Sequence, residues 1–215
     1  MNLSIPQSFL LLTVPEKGSF SVLSSYENWL IASAILELIL SDVADLSDEK
    51  IMIVRDLPPE LSYLSGLYQF LMIYEGSLKN AVLSFGMEDL GRKQRQVLTG
   101  TFESLSALGL VTPQPKRRLG VKHTAYIPDL TARDQLVEEL RATILEGDFN
   151  TDMVALTMLL DKSGDLRHFF TDYERKRFRQ QFERWQQDPR FRSVAQAIDF
   201  VLQLLLLYII VTANA

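Results

Sequence analysis

Residues 24–40 read SSYENWLIASAILELIL, and how this stretch folds decides the architecture. Ser24-Ser25-Tyr26-Glu27 has the form of a capping box, in which a serine hydroxyl and a downstream glutamate satisfy the first free N–H groups of a helix. Trp29, Ala32, Leu36, Ile39 and Leu40 then recur at helical spacing, with Ile35 beside them. The spacing predicts a core helix. Glu37 is the one acid in its apolar part, where an unpaired charge is costly. It is expected as a buried structural acceptor for a neighbouring backbone group or arginine, because a lone carboxylate has no partner for acid/base chemistry.

Downstream, Asp45-Leu46, the turn-like Ser47-Asp48-Glu49-Lys50 and the β-favouring Ile51-Met52-Ile53-Val54 predict a short hairpin. Pro58-Pro59 suits the first turn of another helix, with Leu61, Leu64, Tyr68, Leu71 and Met72 in period. A short helix from Ser77 to Phe85 is expected to end at Gly86, and a longer one to run from about Glu88 to Leu108 and stop at Gly109. Leu110-Val111-Thr112 and Thr124-Ala125-Tyr126-Ile127 then flank a loop with prolines, a glycine and basic residues, so helix plus hairpin occurs a second time. Thr131-Ala132-Arg133-Asp134 opens a helix that Gly147 closes, and further helices are expected near Met153–Leu160, Phe169–Trp185 and after Pro189. The prediction is a mainly α fold: one globular helical domain over residues 1–215, with a central apolar helix bundle and two small β-hairpins, one of them protruding.

Composition narrows the chemistry. The 215 residues contain no cysteine and two histidines, which excludes disulfide scaffolds, thiolate metal sites and thiol nucleophiles. No glycine-rich phosphate loop, GxSxG elbow, HExxH or EF-hand spacing occurs, so no enzyme, metal or cofactor is expected. His123 and His168 have no acid placed to orient them and read as structural or exposed. No basic residue precedes Lys17 and no cleavage site follows Phe9-Leu10-Leu11-Leu12, so a cytoplasmic protein is expected, with access to the cytoplasmic face of a membrane as a peripheral visitor. Val201–Ala213 is nearly all apolar, but about 13 clean residues fall short of the roughly 20 a spanning helix needs, and a buried core helix is the reading.

Charge is unevenly spread. The chain carries net −5, yet the part up to Gly91 carries 4 basic and 12 acidic residues, and the remainder 18 basic and 15 acidic. From Arg92 to Lys122 the cations Arg92, Lys93, Arg95, Lys116, Arg117, Arg118 and Lys122 face one acid, Glu103. The overall acidity disfavours wholesale nucleic-acid binding. A second cluster, Arg175-Lys176-Arg177 with Arg179, shares its segment with Asp172 and Glu174 and is expected to be largely paired within its own helix.

The order and spacing of Ser8-Phe9-Leu10-Leu11-Leu12-Thr13, Ile35-Leu36-Glu37-Leu38-Ile39-Leu40, Leu108-Gly109-Leu110-Val111 and the C-terminal apolar segment resemble the Golgi phosphoprotein 3 family, over roughly Ser8 to Ala213. The resemblance implies a mainly helical domain with a protruding hairpin and peripheral membrane association. In eukaryotic members it implies recognition of the phosphatidylinositol 4-phosphate headgroup and adaptor binding of short cytoplasmic tails. The family's headgroup site uses a loop tryptophan, an arginine in the first core helix and an arginine pair one turn apart. Here the first two positions fall at Val22 and Ile31, and Arg92 with Arg95 supplies the pair if three residues are inserted. The basic N-terminal tail of the eukaryotic members is absent, which fits a prokaryotic member with a reduced headgroup site.

Three readings follow. In the first, Arg92, Lys93 and Arg95 bind an anionic phospholipid or phosphoinositide headgroup, and Lys116, Arg117, Arg118 and Lys122 form a membrane- or partner-facing hairpin; the protein partner is unspecified. Two arginines one turn apart can chelate a phosphate, because each guanidinium offers several donors from one face. The second is a winged-helix regulator, with 92–108 as recognition helix and the basic hairpin as wing. The third is an interaction module that forms a homo-oligomer through the hairpin.

Overall fold

The computed structural model describes residues 2–18, 26–87, 91–118, 121–146, 150–189, 191–192, 195–196 and 198–203. Ser24 and Ser25 of the expected capping box, Val22, the helix start at Glu88, the stop at Gly147 and the apolar run 204–213 lie outside the described residues. The fold is mainly α with two small antiparallel hairpins, as the patterning predicts.

Two helices, α1 (Ile5–Thr13) and α2 (Tyr26–Leu40), pack against each other in the core, and both also contact α5 and α7, defined below. All nine residues of α1 are buried, so its N-terminus has no water to satisfy free donors. Four groups close it. Ser4 and Gln7 form a capping box, with Gln7 N–H donating to Ser4 Oγ at 3.4 Å and Ser4 N–H to Gln7 Oε1 at 3.0 Å. Pro6 brings no N–H, Ser8 N–H donates to the Ser4 carbonyl at 2.9 Å, and Ile5 N–H donates to Glu37 Oε2 at 2.7 Å. Glu37 is therefore the backbone acceptor expected of it. Helix α2 is buried at every position from Trp29 to Leu36, so this segment is enclosed on all sides rather than amphipathic, and each large apolar side chain stabilises it by about 1.5–3 kcal/mol.

Strands β1 (Ala44–Ser47) and β2 (Lys50–Ile53) form the first hairpin, with Ser47 opposite Lys50. Asp48 and Glu49 make the turn at φ of 51° and 63°, the left-handed pair that matches strand twist. The Glu49 carbonyl accepts Leu78 N–H at 2.7 Å, tying the turn to the start of the later helix that begins at Leu78. The helix expected after Pro58-Pro59 is two elements, a 3-10 turn Pro59–Leu64 and α3 (Ser65–Ile73). Met72, expected in its apolar period, is 59% exposed. Helix α4 (Leu78–Met87) runs through Gly86 instead of ending there, its chain still close enough to helical for the glycine to be carried within it.

Helix α5 (Arg92–Ala107) ends as expected at Gly109: φ is 74°, and Leu110 N–H reaches back to the Leu105 carbonyl at 2.9 Å. A side chain in that left-handed conformation would be strained, whereas glycine is not. The second hairpin is longer than predicted. Strands β3 (Val111–Arg118) and β4 (Val121–Pro128) pair from Val111 opposite Pro128 to Arg118 opposite Val121, so the expected basic loop is mostly strand. Pro113 and Pro115 are tolerated because a two-stranded ribbon has an unpaired side on each strand.

Helix α6 (Leu130–Glu146) opens on Asp129, whose Oδ1 accepts Ala132 N–H at 3.0 Å, so Thr131 lies inside the helix rather than at its start. Helix α7 (Thr151–Ser163) is capped by Asn150. Helix α8 (Asp172–Gln187) begins at a Thr171–Glu174 capping box, so Phe169 and Phe170 precede it instead of forming its first turn. Arg141 donates to Glu174 at 2.9 Å and to the Phe169 carbonyl at 3.1 Å, fastening α6 to the start of α8.

Candidate functional site

The cationic face begins at the N-terminus of α5. Its inner stripe, Gln94, Val97, Thr101, Phe102 and Leu105, is buried. At 3.6 residues per turn that burial turns Arg92, Arg95, Gln96, Thr99 and Glu103 outward, and together with Gly100 these five line a shallow groove of about 360 Å³. Arg92 and Arg95 thus share one concavity. Gly100 allows α5 to lie against the preceding 3-10 turn, because a β-carbon there would stand 3.1 Å from the Tyr63 carbonyl. Gly91 caps the helix without a side-chain hydrogen bond, and no acid occupies the first turn. The positive end of the helix dipole therefore adds to the guanidinium charges.

Lys93 points elsewhere. Its ammonium lies 5.3 Å from the centre of the Phe70 ring on α3, a cation–π contact, and it does not line the groove. The first turns of α5 and α2 are joined where Gln94 Nε2 donates to Asn28 Oδ1 at 3.0 Å. In that same turn of α2, Glu27 is half-buried: burial pushes its carboxyl up, and the Arg95 guanidinium beside it holds it down. Glu27 is a neighbour of the arginine pair that sequence spacing did not identify, since Glu27 had been assigned to a helix cap 68 positions away from Arg95. Ile31, which the resemblance sets at the helix arginine, is buried in the core.

The hairpin cations divide by strand geometry. Arg117 lies opposite Lys122 and both are exposed, while Lys116 lies opposite His123 and Arg118 opposite Val121. Like charges directly across a ribbon repel, so this end of the hairpin carries an electrostatic cost. Lys116 is engaged by the body of the protein, its ammonium donating to the Lys17 carbonyl at 2.6 Å. The segment that supplies this carbonyl is fixed on both sides. Arg133 pairs with Glu16 at 3.1 Å, and Gly18, with φ of 68°, sits where a β-carbon would come within 2.6 Å of the Tyr126 carbonyl. Tyr126 in turn stacks on Phe102 of α5, ring centres 4.3 Å apart and 3° from parallel. The hairpin base and α5 are thus one packed unit. No local signal reveals the Lys17 and Glu16 contacts.

The second basic cluster is partly paired with acids. Arg175 pairs with Asp172, Arg177 lies over the Tyr173 ring, and Arg179 holds Asp161 of α7 through two bonds of 3.1 and 2.7 Å. Only the first of these two acid pairings is within the helix itself.

Glu37 is a strongly perturbed acid in the interior. Burial pushes its carboxyl up to about 7, the Ile5 N–H pulls it back, and Asp152 adds to the rise. Beside it, Tyr63 Oη and Ser4 Oγ are 2.5 Å apart, and burial pushes the Tyr63 phenol up. Gln7 Nε2 completes this cluster by donating to Ser104 Oγ at 3.1 Å. These side chains form one hydrogen-bonded cluster around the start of α1. His123 and His168 are exposed. Among the described residues no group of acids and histidines could hold a metal ion, and no helix is long and apolar enough to cross a membrane.

A comparison with protein-family models matches residues 5–201 to Golgi phosphoprotein 3 (GPP34). No curated protein matches the chain significantly.

Proposed function

The chain belongs to the Golgi phosphoprotein 3 family, and from that premise we propose that it is a single-domain, non-enzymatic peripheral protein that meets an anionic lipid surface at the cytoplasmic face of a membrane. The observation that carries this reading is the sharing of one outward groove by Arg92 and Arg95 at the N-terminus of α5, whose N-cap Gly91 makes no side-chain hydrogen bond. Two planar guanidinium groups and a helix N-terminus can converge on one phosphate, and each charge-assisted bond contributes about 1.5–3 kcal/mol. Arg117 and Lys122 at the exposed end of the hairpin, with Arg118 next to them in the strand, add longer-range attraction of about 1 kcal/mol per cation near an anionic leaflet.

The site is reduced relative to the family pattern. Val22 and Ile31 stand where the family has a tryptophan and an arginine, and the loss of such contacts lowers affinity by roughly tenfold for each 1.4 kcal/mol. General anionic-lipid binding therefore fits better than recognition of one phosphoinositide. An adaptor role and self-association through the hairpin belong to the same proposal, since the hairpin end is exposed. A winged-helix reading fits less well. The inner face of α5 packs against α1, α2 and α3, and along its outward groove the arginines give way to Glu103.

Sedimentation with phosphatidylcholine vesicles containing phosphatidylserine or phosphatidylinositol 4-phosphate tests the proposal. Binding at low salt that weakens as salt rises is expected. Failure to bind either vesicle, or binding untouched by Arg92→Ala with Arg95→Ala, overturns it.

A further inference from the structure

The outward faces of the two hairpins are complementary. Residues directly opposite each other across a ribbon share a face, so in the first hairpin Leu46 and Ile51 turn inward against the core while Asp45 and Met52 turn outward. Helix α3 and the chain after it run beside β2 in the opposite direction. Tyr68 Oη donates to the Arg55 carbonyl at 3.3 Å at one end, and Ser77 pairs with Lys50 at the other. Met52 and Val54 are thereby brought alongside Met72 and Ile73, and each of the four is half exposed or more. Apolar side chains gathered in this way on a surface mark a place of contact, whereas scattered ones do not. In the segments that carry them, Asp42 pairs with Arg55 at 3.7 Å, which leaves Asp45, Asp48, Glu49, Asp56, Glu60 and Glu75 against Lys50, all exposed. The result is an apolar strip in acidic surroundings.

The second hairpin has the opposite pattern. Pro115 lies opposite Thr124 and Arg117 opposite Lys122, so one face presents a proline ring and two cations, all exposed. Its other face is the one held to the body, where Lys116 reaches the Lys17 carbonyl. Arg117 and Lys122 repel each other across the ribbon, and an acid brought from outside lowers that cost. Both being exposed, neither is covered by the acidic strip of its own chain. We propose that the strip formed by β2 and α3 is the docking surface for the hairpin end of a second copy, its acids meeting Arg117 and Lys122 and its apolar residues receiving Pro115. The inference rests on reading the hairpin as the means of self-association, and it names the surface that receives it. Charge sets the pairing: strip against strip brings acid to acid, and hairpin against hairpin brings cation to cation. The two surfaces differ, so the contact runs head to tail, and each pair keeps one free surface of either kind from which rings or open chains grow.

Light scattering on the full chain without lipid, at low salt and rising protein concentration, tests this, with thermal melts confirming that each variant is folded. The parent is expected to gain mass with concentration and to lose it as salt rises. Arg117→Glu with Lys122→Glu, and separately Asp45→Lys with Glu75→Lys, are each expected to weaken association by about tenfold or more. An equimolar mixture of the two variants is expected to associate again, because one brings a parental strip and the other a parental hairpin. Met72→Ser with Ile73→Ser, which alters no charge, is expected to weaken association about fivefold.

If the hairpin variant fails to associate while both strip variants associate like the parent, the hairpin still joins the copies but the strip does not receive it, and the inference alone is overturned. Failure of the mixture to associate overturns it as well, since two intact surfaces are then present without meeting. If the parent stays monomeric, or the hairpin variant associates unchanged, the reading of the hairpin as the means of self-association falls and the inference falls with it.

Discussion

Two helix N-termini in this molecule are built from opposite charges. The start of α1 is sealed inside the core by the Ser4–Gln7 capping box and the carboxylate of Glu37. The start of α5 has Gly91 as its N-cap, which makes no side-chain hydrogen bond, and carries Arg92, Lys93 and Arg95 in its first turn and at its edge. A helix N-terminus favours an acid and disfavours a cation by about 0.3–1 kcal/mol each. The first arrangement follows that rule and the second violates it. What the difference teaches is that α1 is arranged for stability, whereas α5 places cations at its positive end, an electrostatic cost that a bound negative charge would lower.

The comparison breaks most visibly if the arginines are removed. Arg92→Ala with Arg95→Ala is expected to lower affinity for anionic vesicles by more than about a hundredfold, since two charge-assisted contacts are lost. The melting temperature should stay level or rise slightly. A large drop in stability would mean that these arginines are part of the scaffold.

At the sealed end, stability should depend on pH. The folded-state value for Glu37, about 7, lies above the 4.5 of a free glutamate. Its contribution is therefore complete below pH 4.5, falls as pH rises towards 7 and is gone above that. The expected loss across this window is roughly 3 kcal/mol, measurable by urea unfolding at pH 5 and pH 8. Glu37→Gln should flatten that slope and exceed the parent in stability at pH 8, because the amide can still accept the Ile5 N–H without burying a charge.

Gly18→Ala sharpens the contrast from the hairpin side. The left-handed φ and the approach to the Tyr126 carbonyl should cost about 2 kcal/mol, and hydrogen exchange should show the hairpin base loosened while α1 keeps its protection. The smallest expected effect is that of Tyr63→Phe, which removes the hydroxyl partner of Ser4 and should cost about 1 kcal/mol in unfolding experiments. Vesicle binding should be untouched, which would keep the two ends functionally separate.

Much of this was legible in advance. The α2 period, the stop at Gly109, both hairpins and Glu37 as a structural acceptor follow from residues within a few positions of each other. The arginine pair was legible as spacing, and the shared groove follows from the burial of the opposite stripe. Other signals were present and passed over, such as the capping boxes at Ser4–Gln7 and Thr171–Glu174, because an apolar run draws the reading to its middle and away from its ends. The turn of Lys93 towards Phe70, the hold of Lys17 on Lys116 and the pairing of Arg179 with Asp161 had no signal to find. An exposed cation has many partners within reach, and which one it meets depends on the helix packed beside it.

The sequence by itself determined which segments are helical, where most of them stop and which half of the chain holds the positive charge, because periodicity, glycine stops and charge counts act over a few neighbouring residues. Tertiary structure alone decided which cations reach outward and which acid stands beside them. Those outcomes rest on contacts between residues far apart in the chain, such as Ile5 with Glu37 across 32 positions, Asn28 with Gln94 across 66 and Lys17 with Lys116 across 99. Over such separations packing of the buried faces sets the geometry, and no local pattern encodes it.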